Sequence, residues 1–290
     1  MEESEKGSDQ VAAITQVMEP GSVFKTVTAL SVREHDVMST EDVLFCPATL
    51  KANDYEVSDA RERGDTEYSL REIIAKSSNV GISLAAEKLG FSNLYEAILK
   101  YNLTERTGVD YPGEMAGYLQ DFNNWGRIVG YNVSFGQGIS VTPLQMVRFY
   151  GALANGGIEV TPHFLMYKPQ SDERPVYAVE RVCFDEQAME DTISMLRSVV
   201  TDGTGKAADV PNYEVVGKTS TAEIASSGTY LEDTYNLCFA GFIAHSSSKL
   251  VTFMSANNVG IDSSVTGAVG DIMSHIVEQY NVVQYDVGQL

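Results

Sequence analysis

Apolar residues recur at helical spacing through most of the chain. The segment Val23–Leu30 follows the turn signal Pro20-Gly21 and predicts a helix with Ser22 at its N-terminus. A second periodic run, over residues 70–89, is interrupted by the polar sequence Ser77-Ser78-Asn79 and predicts two helices joined at a polar corner. The same spacing predicts further helices over residues 93–101, 142–155, 186–200 and 265–280.

Strand patterns appear only late in the chain. Three β-rich segments are separated by short polar connections: Tyr213–Thr221, Leu237–Ala244 and Leu250–Asn257. This spacing predicts an antiparallel meander that the last helix would cover. Residues 36–65 are polar and mixed and predict a loop or a small subdomain, and residues 1–10 predict a disordered tail or a truncation scar. The order of elements predicts an α+β fold, with a mainly helical subdomain beside an antiparallel sheet flanked by helices.

Charge and composition exclude several classes of function. The chain has 40 acidic and 20 basic residues, and its net charge of -20 would repel nucleic acid. The three cysteines form no Cys-x-x-Cys pair and the four histidines are scattered, so no metal site is predicted. The sequence calls for no cofactor. It contains no long apolar run of the kind that spans a membrane.

Three short motifs carry the candidate chemistry, in the order Ser22-Val-Phe-Lys25, Ser77-Ser78-Asn79 and Lys218-Thr219-Ser220-Thr221. Acyl transfer without histidine requires a serine nucleophile and a lysine base that meet at one carbonyl group. Ser22 and Lys25 are three residues apart, so their side chains share one face of the predicted helix. Lys25 must be neutral to act as a base, which requires burial or a nearby cation, and Lys218 could supply that cation.

The remaining motif residues suit supporting roles. Ser77 could relay a proton, and the amide of Asn79 could clamp a peptide bond of a substrate. The strand that carries Lys218 and Thr221 could pair with an extended peptide, with both side chains placed to meet a carboxylate. Each motif also has an ordinary structural interpretation, such as a helix cap, a solvated lysine or an exposed strand charge. Only their occurrence in series favours catalysis.

The chain resembles the transpeptidase domain of class B penicillin-binding proteins from about Val11 to its C-terminus. The resemblance rests on strings that this family carries in the same order: Glu19-Pro-Gly-Ser-Val-Phe-Lys25, Ser77-Ser-Asn-Val-Gly81, Thr107-Gly-Val-Asp-Tyr-Pro-Gly-Glu114, Ser134-Phe-Gly-Gln-Gly-Ile-Ser-Val-Thr-Pro-Leu-Gln145, Ala154-Asn-Gly-Gly157, Gly203-Thr-Gly-Lys206 and Gly217-Lys-Thr-Ser-Thr-Ala222.

This resemblance implies a β-lactamase/transpeptidase-like fold and a role for each motif residue. Ser22 would be the nucleophile, Lys25 the base and Ser77 the relay, while Asn79 would hold the substrate. Carboxylate recognition would fall to Lys218, Thr219 and Thr221. The main-chain N–H groups of Ser22 and Thr221 would form the oxyanion hole, and the segment Gly136-Gln137-Gly138 would be structural rather than catalytic.

The implied reaction is the D,D-transpeptidase cross-linking of peptidoglycan through a serine acyl-enzyme, with covalent inhibition by β-lactams. The implied partners are a stem peptide or lipid-linked precursor, and glycosyltransferase, divisome or elongasome proteins of the parent. The implied location is the extracytoplasmic face of the membrane. Alternatives of the same fold are a β-lactamase, a D,D-carboxypeptidase or a non-catalytic penicillin-sensing domain. No Glu-x-x-Leu-Asn string of the kind that supports fast deacylation lies between the second and third motifs.

The chain departs from the family pattern in two ways. Most relatives have glycine where Ser220 stands, and strand alternation places this side chain on the same face as Lys218, so we expect it to point toward the substrate. The second departure is length, since family members also carry a membrane anchor, a pedestal domain and a first sheet hairpin ahead of the serine helix. We therefore expect residues 11–290 to form one transpeptidase domain whose sheet lacks partners on one edge.

Overall fold

The computed structural model describes residues 11–52, 54–167, 174–226, 229–248, 250–260 and 264–285, with the backbone only for 222–226 and 229–234. The α-helices are α1 Ala12–Thr15, α2 Lys25–Glu34, α3 Leu70–Lys76, α4 Asn79–Leu89, α5 Phe91–Lys100, α6 Arg127–Ser134, α7 Pro143–Ala154, α8 Glu186–Thr201 and α9 Thr266–Gln279. The strands are β1 Val43–Cys46, β2 Thr49–Ala52, β3 Tyr55–Ser58, β4 Thr66–Ser69, β5 Tyr118–Leu119, β6 Ile139–Ser140, β7 Ile158–Val160, β8 Val179–Arg181, β9 Val215–Ser226, β10 Thr229–Ile243 and β11 Val251–Val259.

The late strands form the predicted antiparallel meander, in the order β11-β10-β9. β9 is an outer strand of this sheet, and its residues Lys218 and Ser220 lie opposite Ala240 and Cys238 of β10. The last helix covers the sheet as predicted, because Val269 and Met273 of α9 share a buried core with the inner residues of β10. β9 is therefore an outer strand of the sheet that lies against the helical part of the molecule.

Helix α2 runs through the middle of the helical region. Every residue from Lys25 to Val32 is buried, including polar ones, because α4, α5 and α8 pack around the helix. A helix that is buried on all sides cannot place charged side chains in water, so Lys25 must find its partners inside the protein.

The predicted polar corner is present between α3 and α4. Ser69 and Glu72 form a capping box at the start of α3, and Ser78 caps the start of α4 by accepting the N–H of Gly81. Between the helices, Ser77 adopts a left-handed backbone conformation with φ of 59°. This turn reverses the chain within two residues and points the Ser77 hydroxyl toward α2.

Residues 36–65 form a small subdomain, one of the two predicted alternatives, but its strands were not predicted. β2 and β3 make a hairpin, and β1 pairs with β4 at the start of α3. Leu50, Ala52 and Val57 give the hairpin one buried face, but each of the four strands has only four residues, so the alternation is too short to be told from a loop in the sequence.

The remaining predicted helices are confirmed to within about two residues, a normal tolerance for helix ends. α7 begins as predicted at Pro143, with Thr142 and Gln145 forming its capping box. Helix α6 and the short strands β5 to β8 had no prediction. None of the helices in the part of the chain that the structure describes is long and apolar enough to cross a membrane.

Candidate active site

Ser22 lies in a single 3-10 turn, Gly21–Phe24, that leads directly into α2. Gly136 holds this turn in place, because its carbonyl oxygen accepts the N–H of Gly21 at 3.0 Å. A Cβ atom on Gly136 would lie 2.2 Å from the carbonyl oxygen of Gly21, and its φ of 84° also favours glycine. The Gly-Gln-Gly segment thus supports the turn that carries Ser22 by close backbone approach, which is a structural role of the kind expected for it.

Lys25 is fully buried, and its side-chain nitrogen contacts four oxygen atoms. Nζ lies 3.0 Å from the hydroxyl of Ser22 and 3.1 Å from the hydroxyl of Ser77. It also lies 2.6 Å from the Ser77 carbonyl oxygen and 2.7 Å from Oδ1 of Asn79. The first two motifs therefore converge on one nitrogen, although they are more than 50 residues apart.

The contacts of Lys25 suit a neutral amine. Its two shortest contacts are carbonyl oxygens, which only accept, and the two hydrogens of a neutral amine would satisfy both. The single lone pair would then be left to accept from one of the two hydroxyl groups, that of Ser22 or that of Ser77, each of which can donate. Burial lowers the pKa of Lys25 well below its usual value, and the nearby charge of Lys218 lowers it further, while Asp59 opposes the shift. Burial and a nearby cation are the two conditions that sequence analysis named for a neutral Lys25.

Ser77 lies between the two lysines. Nζ of Lys218 donates to the Ser77 hydroxyl at 2.9 Å and to the carbonyl oxygen of Thr219 at 3.0 Å. Lys218 is fully buried, and burial lowers its pKa to about 7. A single hydroxyl group therefore links the two buried amines of Lys25 and Lys218.

Asp59 is the functional residue that sequence analysis missed. Its carboxylate, just beyond β3, accepts the hydroxyl of Ser78 at 2.9 and 3.0 Å and the N–H of Val80 at 3.0 Å. Arg63 pairs with the same carboxylate at 2.6 Å. Asp59 thus fixes the corner that presents Ser77 and Asn79. No local pattern links it to Ser78, which is 19 residues away, so only the fold reveals the contact.

Asn79 is already engaged within the protein. Its Oδ1 accepts from Lys25, and its Nδ2 donates to the carbonyl oxygen of Ser58 at 2.9 Å. Each amide hydrogen can make one hydrogen bond, so one N–H of Asn79 remains for a ligand. The amide orients Lys25 and ties the corner to the small subdomain, in addition to the substrate contact expected of it.

The third motif places its side chains on opposite faces of β9. Alternation along the strand puts Lys218 on the buried face and Thr221 on the exposed face, and their shared contact with a carboxylate stays a prediction. Thr219 shares the face of Thr221, and its hydroxyl hydrogen-bonds to the hydroxyl of Thr204. The two threonines therefore face the outside of the strand, while the Lys218 charge lies beneath it.

Ser220 shares a face with Lys218, as predicted, but this face is the buried one. The side chain is only 3% exposed. Its Oγ accepts the main-chain N–H of Ser22 at 2.9 Å. One of the two N–H groups expected to form the oxyanion hole is therefore hydrogen-bonded within the protein, which sequence analysis did not predict.

Within the described ranges, no cluster of histidine, cysteine and carboxylate side chains could hold a metal ion. The site instead gathers a half-buried serine hydroxyl, a buried amine with a lowered pKa, a second hydroxyl and a second buried amine. This arrangement can remove a proton from Ser22 as its oxygen attacks a carbonyl carbon.

Comparisons with known proteins show the family to which the chain belongs. The family model for the penicillin-binding protein transpeptidase domain matches residues 1–278. The chain is 35% identical over 271 residues to penicillin-binding protein PbpB of Mycobacterium tuberculosis, covering 89% of this chain and 40% of that protein. It is 29% identical over 279 residues to peptidoglycan D,D-transpeptidase FtsI of Escherichia coli, covering 93% of this chain and 45% of that protein.

The fold is also found among solved structures. Penicillin-binding protein 3 of Mycobacterium tuberculosis, complexed with ampicillin, superposes with a TM-score of 0.88 at 31% identity, over 99% of this chain and 68% of that chain. The α+β transpeptidase fold predicted from the sequence is confirmed by this match. The chain spans less than half the length of the two curated relatives.

Proposed function

This chain belongs to the penicillin-binding protein transpeptidase domain family, and we propose that it catalyses D,D-transpeptidation of peptidoglycan stem peptides through an acyl-enzyme on Ser22. The observation that carries the proposal is the position of Lys25 Nζ, 3.0 Å from the Ser22 hydroxyl and 3.1 Å from the Ser77 hydroxyl. A buried amine so placed can take the proton of one serine and pass it to the other.

In the proposed acylation step, Ser22 Oγ attacks the carbonyl carbon of the penultimate residue of a stem peptide. The new C–O bond forms as the Ser22 proton passes to Lys25, and the carbonyl π electrons move to oxygen. When the tetrahedral intermediate collapses, the C–N bond breaks. The leaving amine takes a proton from the Ser77 hydroxyl, and Lys25 restores that proton to Ser77. An ester on Ser22 and a free terminal amino acid result.

In the second step, the amine of another stem peptide attacks the ester carbon. Its proton passes through Ser77 to Lys25, the C–O bond to Ser22 breaks as Lys25 returns a proton to Ser22 Oγ, and a cross-linked peptide leaves with Ser22 restored. Lys218 would contribute positive charge beneath β9, and Thr219 and Thr221 would contribute hydroxyl groups, to hold the carboxylate of the stem peptide. Among the described strands β9 is an outer strand of its sheet, and an outer strand can pair with an extended peptide lying alongside it.

A β-lactam would enter the same step, because its lactam carbonyl takes the place of the scissile peptide bond. Here the ring nitrogen is the leaving group and stays attached to the acyl chain, so the ester persists. The proposed setting is the extracytoplasmic face of the cell membrane. There the parent would be anchored and would work with lipid-linked precursors and with glycosyltransferase, divisome or elongasome proteins. We propose that residues 11–290 form one transpeptidase domain.

Product analysis with a synthetic stem pentapeptide and an acceptor amine tests the proposal. A cross-linked amide product that depends on Ser22 supports it, with Ser22→Ala as the inactive control. Release of the terminal residue without cross-linking would favour a carboxypeptidase. Fast turnover of penicillin would favour a β-lactamase, and acylation by penicillin without any peptide product would favour a sensing domain.

A further inference from the structure

The hydroxyl of Ser220 occupies a position that the reaction needs. Its Oγ lies 2.9 Å from the main-chain nitrogen of Ser22 and accepts that N–H, although the two residues are 198 positions apart in sequence. The side chain is 3% exposed, enclosed where β9 meets the turn Gly21–Phe24. This contact brings the third motif directly onto the nucleophile turn, in addition to the contacts through Ser77.

An oxyanion formed at Ser22 requires the same N–H group. Donors that stabilise such an oxygen lie about 2.7 to 3.1 Å from it. Ser220 Oγ already lies within this range, so a carbonyl oxygen cannot take the same position while the serine keeps its present rotamer. The N–H of Ser22 is satisfied in the free protein, and its hydrogen bond must be exchanged before it can serve an incoming ligand.

We propose that Ser220 is an internal competitor for the oxyanion hole, which slows the acylation of Ser22 by every carbonyl ligand. This inference rests on the proposed function. As Ser22 Oγ bonds to the carbonyl carbon and its proton passes to Lys25, the carbonyl oxygen gains the electron pair of the broken π bond. It then replaces Ser220 Oγ as the acceptor of the Ser22 N–H, and Ser220 rotates to another rotamer.

The predicted effect on the acylation rate differs from that of a side chain that obstructs the ligand sterically. Since the side chain is buried beneath β9, it should slow small and large β-lactams by the same factor. The hydrogen bond between Ser220 and Ser22 must be broken before the oxyanion can form. If this costs as much free energy as a typical intramolecular hydrogen bond contributes, acylation should be slower by about 2- to 12-fold.

Two variants separate the hydroxyl from the carbon that carries it. Ser220→Ala removes the acceptor and keeps Cβ, whereas Ser220→Gly removes both. We expect both to raise the second-order rate constant of acylation by penicillin G by about 2- to 12-fold, measured by intact-protein mass spectrometry. Ser92→Ala, on the exposed side of α5, is the matched control and should leave the rate unchanged. Thermal unfolding of each variant verifies that the fold is intact.

The amide proton of Ser22 provides a second measurement that is independent of the rate. Loss of its acceptor should move its NMR resonance upfield in both Ser220 variants and leave it unchanged in Ser92→Ala. A faster Gly variant with an unchanged Ala variant would overturn the proposal, since Cβ would then be the obstacle. A slower Ala variant would also overturn it, because the hydroxyl would then be a donor to the oxyanion.

Failure of this inference is distinct from failure of the proposed function. If the wild-type protein is acylated on Ser22 and both Ser220 variants react at the wild-type rate, the competitor role is wrong and the transpeptidase proposal stands. If neither the wild-type protein nor a variant gives an adduct, the proposed function is wrong and the competitor role is overturned with it.

Discussion

The close approach of Gly136 to Gly21 allows the link between fold and reactivity to be tested without touching a polar side chain. In Gly136→Ala, the new Cβ would lie 2.2 Å from the Gly21 carbonyl oxygen and 2.7 Å from Phe24 Cβ, whereas real Cβ atoms stay beyond 3.0 Å. The turn that carries Ser22 would have to retreat by about 1 Å, and a misplacement of that size can cost about 100-fold in rate.

Gly138→Ala is the matched control. Gly138 also has a positive φ, of 72°, but the nearest atom to its Cβ would be Val133 Cγ2 at 3.9 Å. It should lose about 1 to 2 kcal/mol of stability from backbone strain alone. Gly136→Ala carries the same strain and should lose a further 1 to 3 kcal/mol, roughly, from overpacking.

Urea unfolding and penicillin acylation, measured on the wild-type protein and both variants, test this reasoning. We expect acylation to fall about 100-fold in Gly136→Ala and to stay near the wild-type rate in Gly138→Ala. If the two variants were equally stable and acylated at similar rates, the close approach of Gly136 would not be what positions Ser22.

Three further predictions follow from the charges in the structure. Lys25→Arg should fold but acylate several orders of magnitude more slowly, roughly, because a guanidinium stays protonated; near-normal acylation would remove Lys25 from the role of base. Acylation by a carboxylate-bearing β-lactam should fall at acid pH as Lys25 is protonated, and again above about pH 7 as Lys218 loses its proton. Lys218→Arg should abolish the alkaline decrease, and an unchanged profile would exclude Lys218. Burial opposes protonation of His245, but hydrogen bonds to Glu214 at 2.8 Å and Glu190 at 2.9 Å outweigh it and raise its pKa above 6.5. The stabilisation is full below about pH 6.5 and is lost as the pH rises through the folded-state pKa, so His245→Asn should lower the melting temperature more at pH 6 than at pH 9. Equal losses at both pH values would contradict this.

Sequence periodicity predicted the elements that carry a clear run of apolar residues. α7, α8, α9 and the meander of β9 to β11 were all predicted, because apolar residues recur at the spacing of each element. The strands of the subdomain in residues 36–65 were not predicted, since each has only four residues and its alternation is too short to stand out, although Leu50, Ala52 and Val57 are buried.

The motif residues were found from sequence, but the direction of each side chain was only partly predictable. Alternation correctly placed Ser220 with Lys218, yet it could not tell which face of an outer strand is buried. Asp59 lies in a polar segment, and its partner Ser78 is distant in sequence. Such contacts depend on how the subdomain docks against α4, which no local pattern specifies.

The central claim is that Ser22 is the residue that becomes acylated, with Lys25 as its base. Peptide mapping by mass spectrometry after incubation with penicillin G tests it most directly, with Ser22→Ala as the control. We predict a single adduct, on the peptide that contains Ser22, and none in the control. An adduct on the peptide that contains Ser77 or Ser220 would contradict the assignment.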